Sequence, residues 1–291
     1  MKKALIIINP VSGISNKARI KELLHKKIDR KRFHPEIIFS QYAGHVEELS
    51  REAAGAGLDL VVVVGGDGSV NEAGAGLVGT DTPLGIIPTG SGNGLAHYLD
   101  LPFNLDRAID NLNHFHSKKI DTATLNGHFF CNVAGAGFDA RVATEFAKVE
   151  RRGFWSYFKL VLQEYSNYKA RTYKLKYHGQ EITRKALLIT FANSNQYGNN
   201  AIIAPDAQAD DGLLDVCILS KVPLIEAPLL GQMLMLKLID RTHYVEYIKT
   251  PEITVVQEAD ENCHVDGEPL KSGQVLHVKV NPLSLNVVVP R

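Results

Sequence analysis

The stretch Val61-Val62-Val63-Val64-Gly65-Gly66-Asp67-Gly68-Ser69-Val70-Asn71-Glu72 decides the fold. Valines without polar alternation read as a strand buried on both faces, the kind a parallel sheet contains. Working outward, a strand is expected over 58–64 and a helix over 71–77. Upstream, strands are expected over 4–9 and 36–40 and helices over 15–28 and 46–54, the first with Ile20, Leu23, Leu24 and Ile28 on one stripe. The first strand ends in the turn signal Asn9-Pro10-Val11-Ser12-Gly13. Downstream come a strand over 84–87, the glycine loop Pro88-Thr89-Gly90-Ser91-Gly92-Asn93-Gly94, and a helix over 92–99. Alternating strands and helices imply a doubly wound parallel sheet, with ligands at the edge where its strands end.

The pattern changes near residue 118. Strands are expected over 129–134, 172–177, 186–192, 213–219, 244–249, 252–256, 275–280 and 285–289, with helices only over 154–167 and 224–238. The fold class expected is therefore α/β plus β. An α/β domain spans residues 1–123 and a largely antiparallel β domain, a sandwich, spans 124–291.

The 291 residues are 45% hydrophobic, enough for a sizeable core. Lys plus Arg equals Asp plus Glu at 32 each, so no global field draws the chain to nucleic acid. The run Lys26-Lys27 to Arg30-Lys31-Arg32 reads as a solvated helix end. Cys131, Cys217 and Cys263 lack CxxC spacing and argue against a disulfide framework or a cysteine-rich zinc site. No signal peptide and no transmembrane helix are expected, and a cytoplasmic location is the default. The eleven histidines show no metal spacing.

Two glycine loops at the ends of successive strands can close around a nucleotide phosphate chain. Their glycines permit positive φ and close backbone approach, and the helices that follow add positive dipole ends. Ser69 adds a hydroxyl. Asp67 suits such a site if Mg²⁺ or a reacting hydroxyl lies between it and the phosphates. A phosphotransferase is expected. Two GxGxxG matches, over 74–79 and 135–140, fail as dinucleotide fingerprints on context, and the Walker pattern is absent.

Asn9-Pro10-Val11-Ser12-Gly13, Gly65 to Glu72, Pro88 to Gly94 and the late Val265-Asp266-Gly267-Glu268 together resemble the diacylglycerol kinase catalytic family, which includes bacterial lipid kinases and sphingosine kinases. Their order matches across nearly the whole chain. The resemblance implies an α/β nucleotide domain, a β-sandwich domain and an active cleft between them. It implies ATP held by Gly65, Gly66, Asp67, Gly68, Ser69, Val70, Asn71 and Glu72, with Asn9, Ser40, Gly90, Ser91 and Asn93 nearby. It makes Glu268 the proton acceptor for a lipid hydroxyl, with Asp67 and Asp266 supporting Mg²⁺ and the reacting groups. It also implies a structural Mg²⁺ site at Gln208, Asp211 and Leu213. One departure is Gly94, where bacterial diacylglycerol kinases commonly carry Asp. That leaves diacylglycerol, a sphingoid base or another lipid alcohol open as substrate.

Carboxylates clustered at 67, 266 and 268 would also repel one another without a cation. The aromatic run Phe154-Trp155-Ser156-Tyr157-Phe158 beside Arg151-Arg152, and the apolar run 228–239, suit an acyl-chain pocket, a transient contact with the inner membrane face, or helices covering the β domain. Monomer and homodimer are left open. Competing readings are an NAD kinase-like phosphotransferase and a catalytically silent lipid-binding regulator on the same scaffold. No second Thr-Pro-Thr-Gly-Ser type segment supports the former, and Asp67, Asn71, Glu72 and Glu268 oppose the latter.

Overall fold

The computed structural model describes residues 1–13, 17–148 and 154–291. It divides into two compact units, Met1–Asp121 with Leu283–Arg291, and Thr122–Pro282.

The first unit alternates as its sequence pattern demands. Its elements are β1 (Lys2–Ile8), α1 (Lys17–Lys27), β2 (Phe33–Phe39), α2 (His45–Gly55), β3 (Leu60–Gly65), α3 (Asp67–Leu77), β4 (Leu84–Pro88), α4 (Gly94–Tyr98) and α5 (Leu105–His114). The strands pair in the order β2-β1-β3-β4, all parallel. Every residue of β3 is buried, which is why its valines need no alternation. Ile6, Val62 and Val64 share a core with Ile20 and Leu24 of α1 and Ile109 and Leu112 of α5. Helices α2 and α3 pack on each other and on the sheet strands β1 and β3. Pro35 lies in the edge strand β2, where a missing ladder donor is tolerated.

The second unit begins within β5 (Ser117–Leu125), which forms a hairpin with β6 (His128–Phe130). Then come β7 (Val133–Gly137), α6 (Phe138–Ala147), α7 (Phe154–Asn167), β8 (Arg171–Tyr177), β9 (Gln180–Ala186), β10 (Leu188–Ala192), β11 (Leu214–Leu219) and α8 (Ala227–Met235). After a 3₁₀ turn follow β12 (Val245–Thr250), β13 (Glu252–Gln257), β14 (Asn262–Val265), β15 (Glu268–Lys271) and β16 (Val275–Val288). One antiparallel sheet runs β12-β11-β10-β7-β14-β15. A second antiparallel set pairs β16, β13, β8 and β9. Tyr173, Leu175, Val255 and Val278 of that set share one core with Ala134, Phe191, Val216 and Cys263 of the first sheet. This is a sandwich, as expected. The first sheet's outer face is covered by Phe138, Val142, Tyr165 and Leu230 from α6, α7 and α8.

The domain reading needs one correction. Residues 283–291 belong to the first unit, not the β domain. Val287 pairs in parallel with Leu84 of β4, and Leu285, Val287 and Val288 are fully buried, so residues 283–291 add to the first unit's parallel sheet.

Candidate active site

Three loops of the first unit converge. Asn9 follows β1, Gly66 follows β3 and Thr89 follows β4, the strand ends at which a doubly wound sheet holds ligands. A Cβ on Gly90 would sit 2.5 Å from the Gly66 Cα, so both glycine loops require close backbone approach. Gly13 adopts φ +69°, and a Cβ there would strike the Thr89 carbonyl. The expectation of positive φ at the other loops is corrected in detail. Gly65, Gly66, Gly68, Gly90 and Gly92 are not in the left-handed region, and the residue that is, Asn93 at φ 52°, is not glycine. At Gly65, Gly66, Gly90 and Gly92 small size, not φ, is what the glycine contributes.

Helix α3 starts at Asp67, four residues earlier than expected. Asp67 to Asn71 are therefore its first turn rather than a free loop. The cap residue Gly66 offers no side chain, so no side-chain cap bond closes the positive end of α3, whose first turn carries Asp67. Asp67 points at the second loop. Its Oδ2 accepts the Asn93 amide at 2.8 Å and its Oδ1 the Gly94 amide at 2.7 Å. It thus closes the N-terminus of α4 and fixes the loop's position. Asn93 is buried; its Oδ1 accepts the Gly90 amide and its Nδ2 donates to the Gly90 carbonyl. Asn9 Nδ2 donates to Ser69 Oγ at 2.8 Å, and Ser12 Oγ lies 3.2 Å from Thr89 Oγ1. Ser40 is buried at the end of β2, and Ser91 is exposed. Glu72 does not face the loops' shared edge with its charge free. Its two carboxylate oxygens accept the amides of Gly44 and Val46, capping α2.

In the second unit Asp266 and Gly267 form a tight turn between β14 and β15, with Glu268 the first residue of β15. Asp266 is buried. Its Oδ1 accepts the amides of Asn132 and Val133 at 2.9 and 3.0 Å, and its Oδ2 accepts the Cys131 amide at 3.0 Å. Glu268 is exposed and its side chain makes no hydrogen bond or ion pair among the described residues. Like charges at 67, 266 and 268 therefore do not by themselves demand a cation. Asp67 and Asp266 are each compensated by backbone amides within their own unit.

The turn at 208–213 offers oxygen donors only. Asp211 Oδ1 accepts the Leu213 amide, and its Oδ2 lies 3.7 Å from the Lys249 ammonium. Lys249 also reaches Asp215 at 3.3 Å. Burial pushes the Asp215 carboxyl above its ordinary range, and Lys249 opposes that. Among the described residues no three His, Cys, Asp or Glu side chains gather as a metal site. One carboxylate with carbonyls still suits a hard cation that keeps several waters.

Sequence reasoning missed the roles of Thr89 and Ser12, both polar residues inside quoted motifs. Residues 149–153 and the side chains at 154–159, including Arg151, Arg152, Trp155, Tyr157 and Phe158, lie outside the described residues. The apolar run 228–239 is described, and it leaves large hydrophobics in water. Within it Leu229, Met235 and Leu236 are exposed, and so are Leu224 and Ile225 just before it, Ile225 to 89%. Among the described residues no helix is long and apolar enough to cross a membrane.

Residues 3–125 match the family model described as the diacylglycerol kinase catalytic domain. Residues 132–289 match that described as the YegS C-terminal NAD kinase beta sandwich-like domain. A Yersinia enterocolitica protein named "Probable lipid kinase YegS-like" is 29% identical over 266 residues, 88% of this chain and 87% of its own length. A diacylglycerol kinase of Bacillus subtilis is 27% identical over 274 residues, 92% of this chain and 90% of its own. A solved diacylglycerol kinase from Bacillus anthracis str. Sterne superposes with a TM-score of 0.75 at 22% identity, covering 99% of this chain and 97% of its own, a likeness of fold.

Proposed function

The chain belongs to the diacylglycerol kinase catalytic-domain family, and from that premise we propose that this kinase transfers the γ-phosphoryl group of ATP to the hydroxyl of a lipid alcohol. The observation that carries the reading is the meeting of Gly66 and Gly90, with Asp67 fastening the second loop. In this reading the phosphate chain takes its hydrogen bonds from backbone amides at the start of α3, with Ser69, Ser91 and Asn9 as polar neighbours. Glu268 takes the proton from the attacking hydroxyl. Its solvent access and its lack of a partner among the described residues support that role. Asp67 and Asp266 act by holding the loops rather than by touching phosphate. Mg²⁺, when bound, neutralises charge on the phosphates; Asp211, with the Gln208 and Leu213 carbonyls, would hold a further ion.

The exposed residues Leu224, Ile225, Leu229 and Leu236 are proposed to rest on the bilayer that supplies the substrate. Incubating the protein with vesicles of a total lipid extract and labelled ATP·Mg²⁺ tests the whole reading. A labelled lipid, identified by mass, is expected, with the protein pelleting alongside the vesicles. Labelling of added NAD instead would mean an NAD kinase, and ATP binding without turnover would mean a silent regulator.

Gly90→Ala tests the loop geometry. The added methyl must part the loops, because its obstacle is backbone. Urea unfolding should show a loss of about 1–3 kcal/mol, and calorimetric titration about tenfold weaker ATP binding. Unchanged affinity would mean the close approach is dispensable.

A further inference from the structure

A buried polar notch lies across β10, β7 and β14. Thr190, Gly135 and His264 stand opposite one another on these neighbouring strands. Gly135 has no side chain, and the space is filled by Asp139 from the first turn of α6. A Cβ at Gly135 would meet Asp139 Oδ2 at 2.0 Å and His264 Nε2 at 2.8 Å. The Asp139 carboxylate is well supplied. Its Oδ1 accepts the Ala140 amide at 2.8 Å, and its Oδ2 accepts Thr190 Oγ1 at 3.2 Å and faces His264 Nε2 at 3.3 Å. Tyr197 extends the chain through its hydroxyl to Thr190. None of these residues belongs to the loops or turns assigned above.

The chemistry of the pair dictates a tautomer. An ionised carboxylate only accepts, so the imidazole proton sits on Nε2 and Nδ1 is left as an acceptor. Nδ1 takes the Gly267 amide at 3.3 Å. Gly267 is the residue between Asp266 and Glu268. The turn uses φ 47° at Asp266 and 86° at Gly267, the left-handed pair that a two-residue hairpin needs. Asp266 is itself gripped by the amides of residues 131–133. Both central residues of the turn are therefore fastened to the sheet, one by its carboxylate and one by its amide.

We propose that His264, oriented by Asp139, is a positioning residue that fixes the Asp266-Gly267 turn and thereby the place of the Glu268 carboxylate. This rests on the reading of Glu268 as proton acceptor. His264 is buried and does not touch substrate in this scheme.

Two isosteres separate the halves of the imidazole. His264→Asn keeps an oxygen where Nδ1 stood and loses the reach to Asp139. His264→Gln keeps a donor toward Asp139 and loses the acceptor for Gly267. Amide exchange at Gly267, followed by NMR, needs no turnover. Kinetics on lipid vesicles give kcat and KM. The proposal expects His264→Gln to exchange at Gly267 about tenfold faster and to lose about tenfold in kcat with KM for ATP unchanged. His264→Asn, which keeps the acceptor and loses the hold on Asp139, should fall between His264→Gln and the wild type in both. Wild-type exchange at Gly267 in His264→Gln would overturn the proposal. So would equal losses of kcat in both variants tracking their melting temperatures. A fully active Glu268→Gln with the exchange pattern as expected would instead sink the proton-acceptor reading and leave the anchored turn standing.

Discussion

Glu268→Gln should lower kcat for lipid phosphorylation by about 10²–10⁴-fold, the usual contribution of a positioned base. The substitution is isosteric. The side chain is exposed and has no hydrogen-bond or ion-pair partner among the described residues, so nothing in the core is orphaned by it. The melting temperature should stay within about a degree of the parent. KM for ATP should hold as well, because the two glycine loops proposed to bind it belong to the first unit and keep their own bonds. A loss confined to kcat marks an interaction made in the transition state. Steady-state kinetics on vesicles, beside a thermal melt, check this. A kcat within about twofold of the parent would remove Glu268 from the mechanism.

What could be read from the chain follows the range of the forces involved. The run Val61 to Val64 declared a buried parallel strand because burial on both faces is a local compositional signal. Helix α5 was missed although Asn104 caps it and Leu105, Ala108, Ile109 and Leu112 recur at helical spacing. The sequence reads as two last strands, over 275–280 and 285–289, because Asn281-Pro282 is a turn signal. The structure carries β16 through that point, with Leu283 at φ 46° absorbing the irregularity and its amide on Asp121. Short strands β14 and β15, four residues each, were hidden by the Asp-Gly turn between them.

The site shows the same division. Its glycines and acids were visible as residue types. Their partners were not, because Asp67 bonds residues 93 and 94, Glu72 bonds residues 44 and 46, and Asp266 bonds residues 131 to 133. A carboxylate that caps a helix and one that meets a metal look alike in sequence. Only the tertiary fold tells which amides reach it. His264 and Asp139 passed unnoticed for a related reason: their pairing depends on the empty face of Gly135 between them.

Asp266→Ala should cost the fold about 3–5 kcal/mol, the range for removing one side of a buried charged interaction. Three backbone amides converge on this carboxylate, and burial denies them water as a substitute. Each orphaned donor costs about 1–3 kcal/mol, and the sum is less than additive because the loop can relax. Alanine also pays to remain at φ 47°, where a Cβ crowds the carbonyl. Asparagine is the informative control. It keeps one acceptor oxygen and tolerates the left-handed region, so Asp266→Asn should lie between parent and alanine. Urea unfolding of the three proteins at fixed pH gives the order. If alanine and asparagine were equally stable, the carboxylate would not be what anchors the turn. The activity of the asparagine variant then separates two roles. A group that only fastens the 131–133 loop should return kcat in proportion to the stability it returns. A group that meets the reacting phosphate should not, because an amide cannot replace its charge.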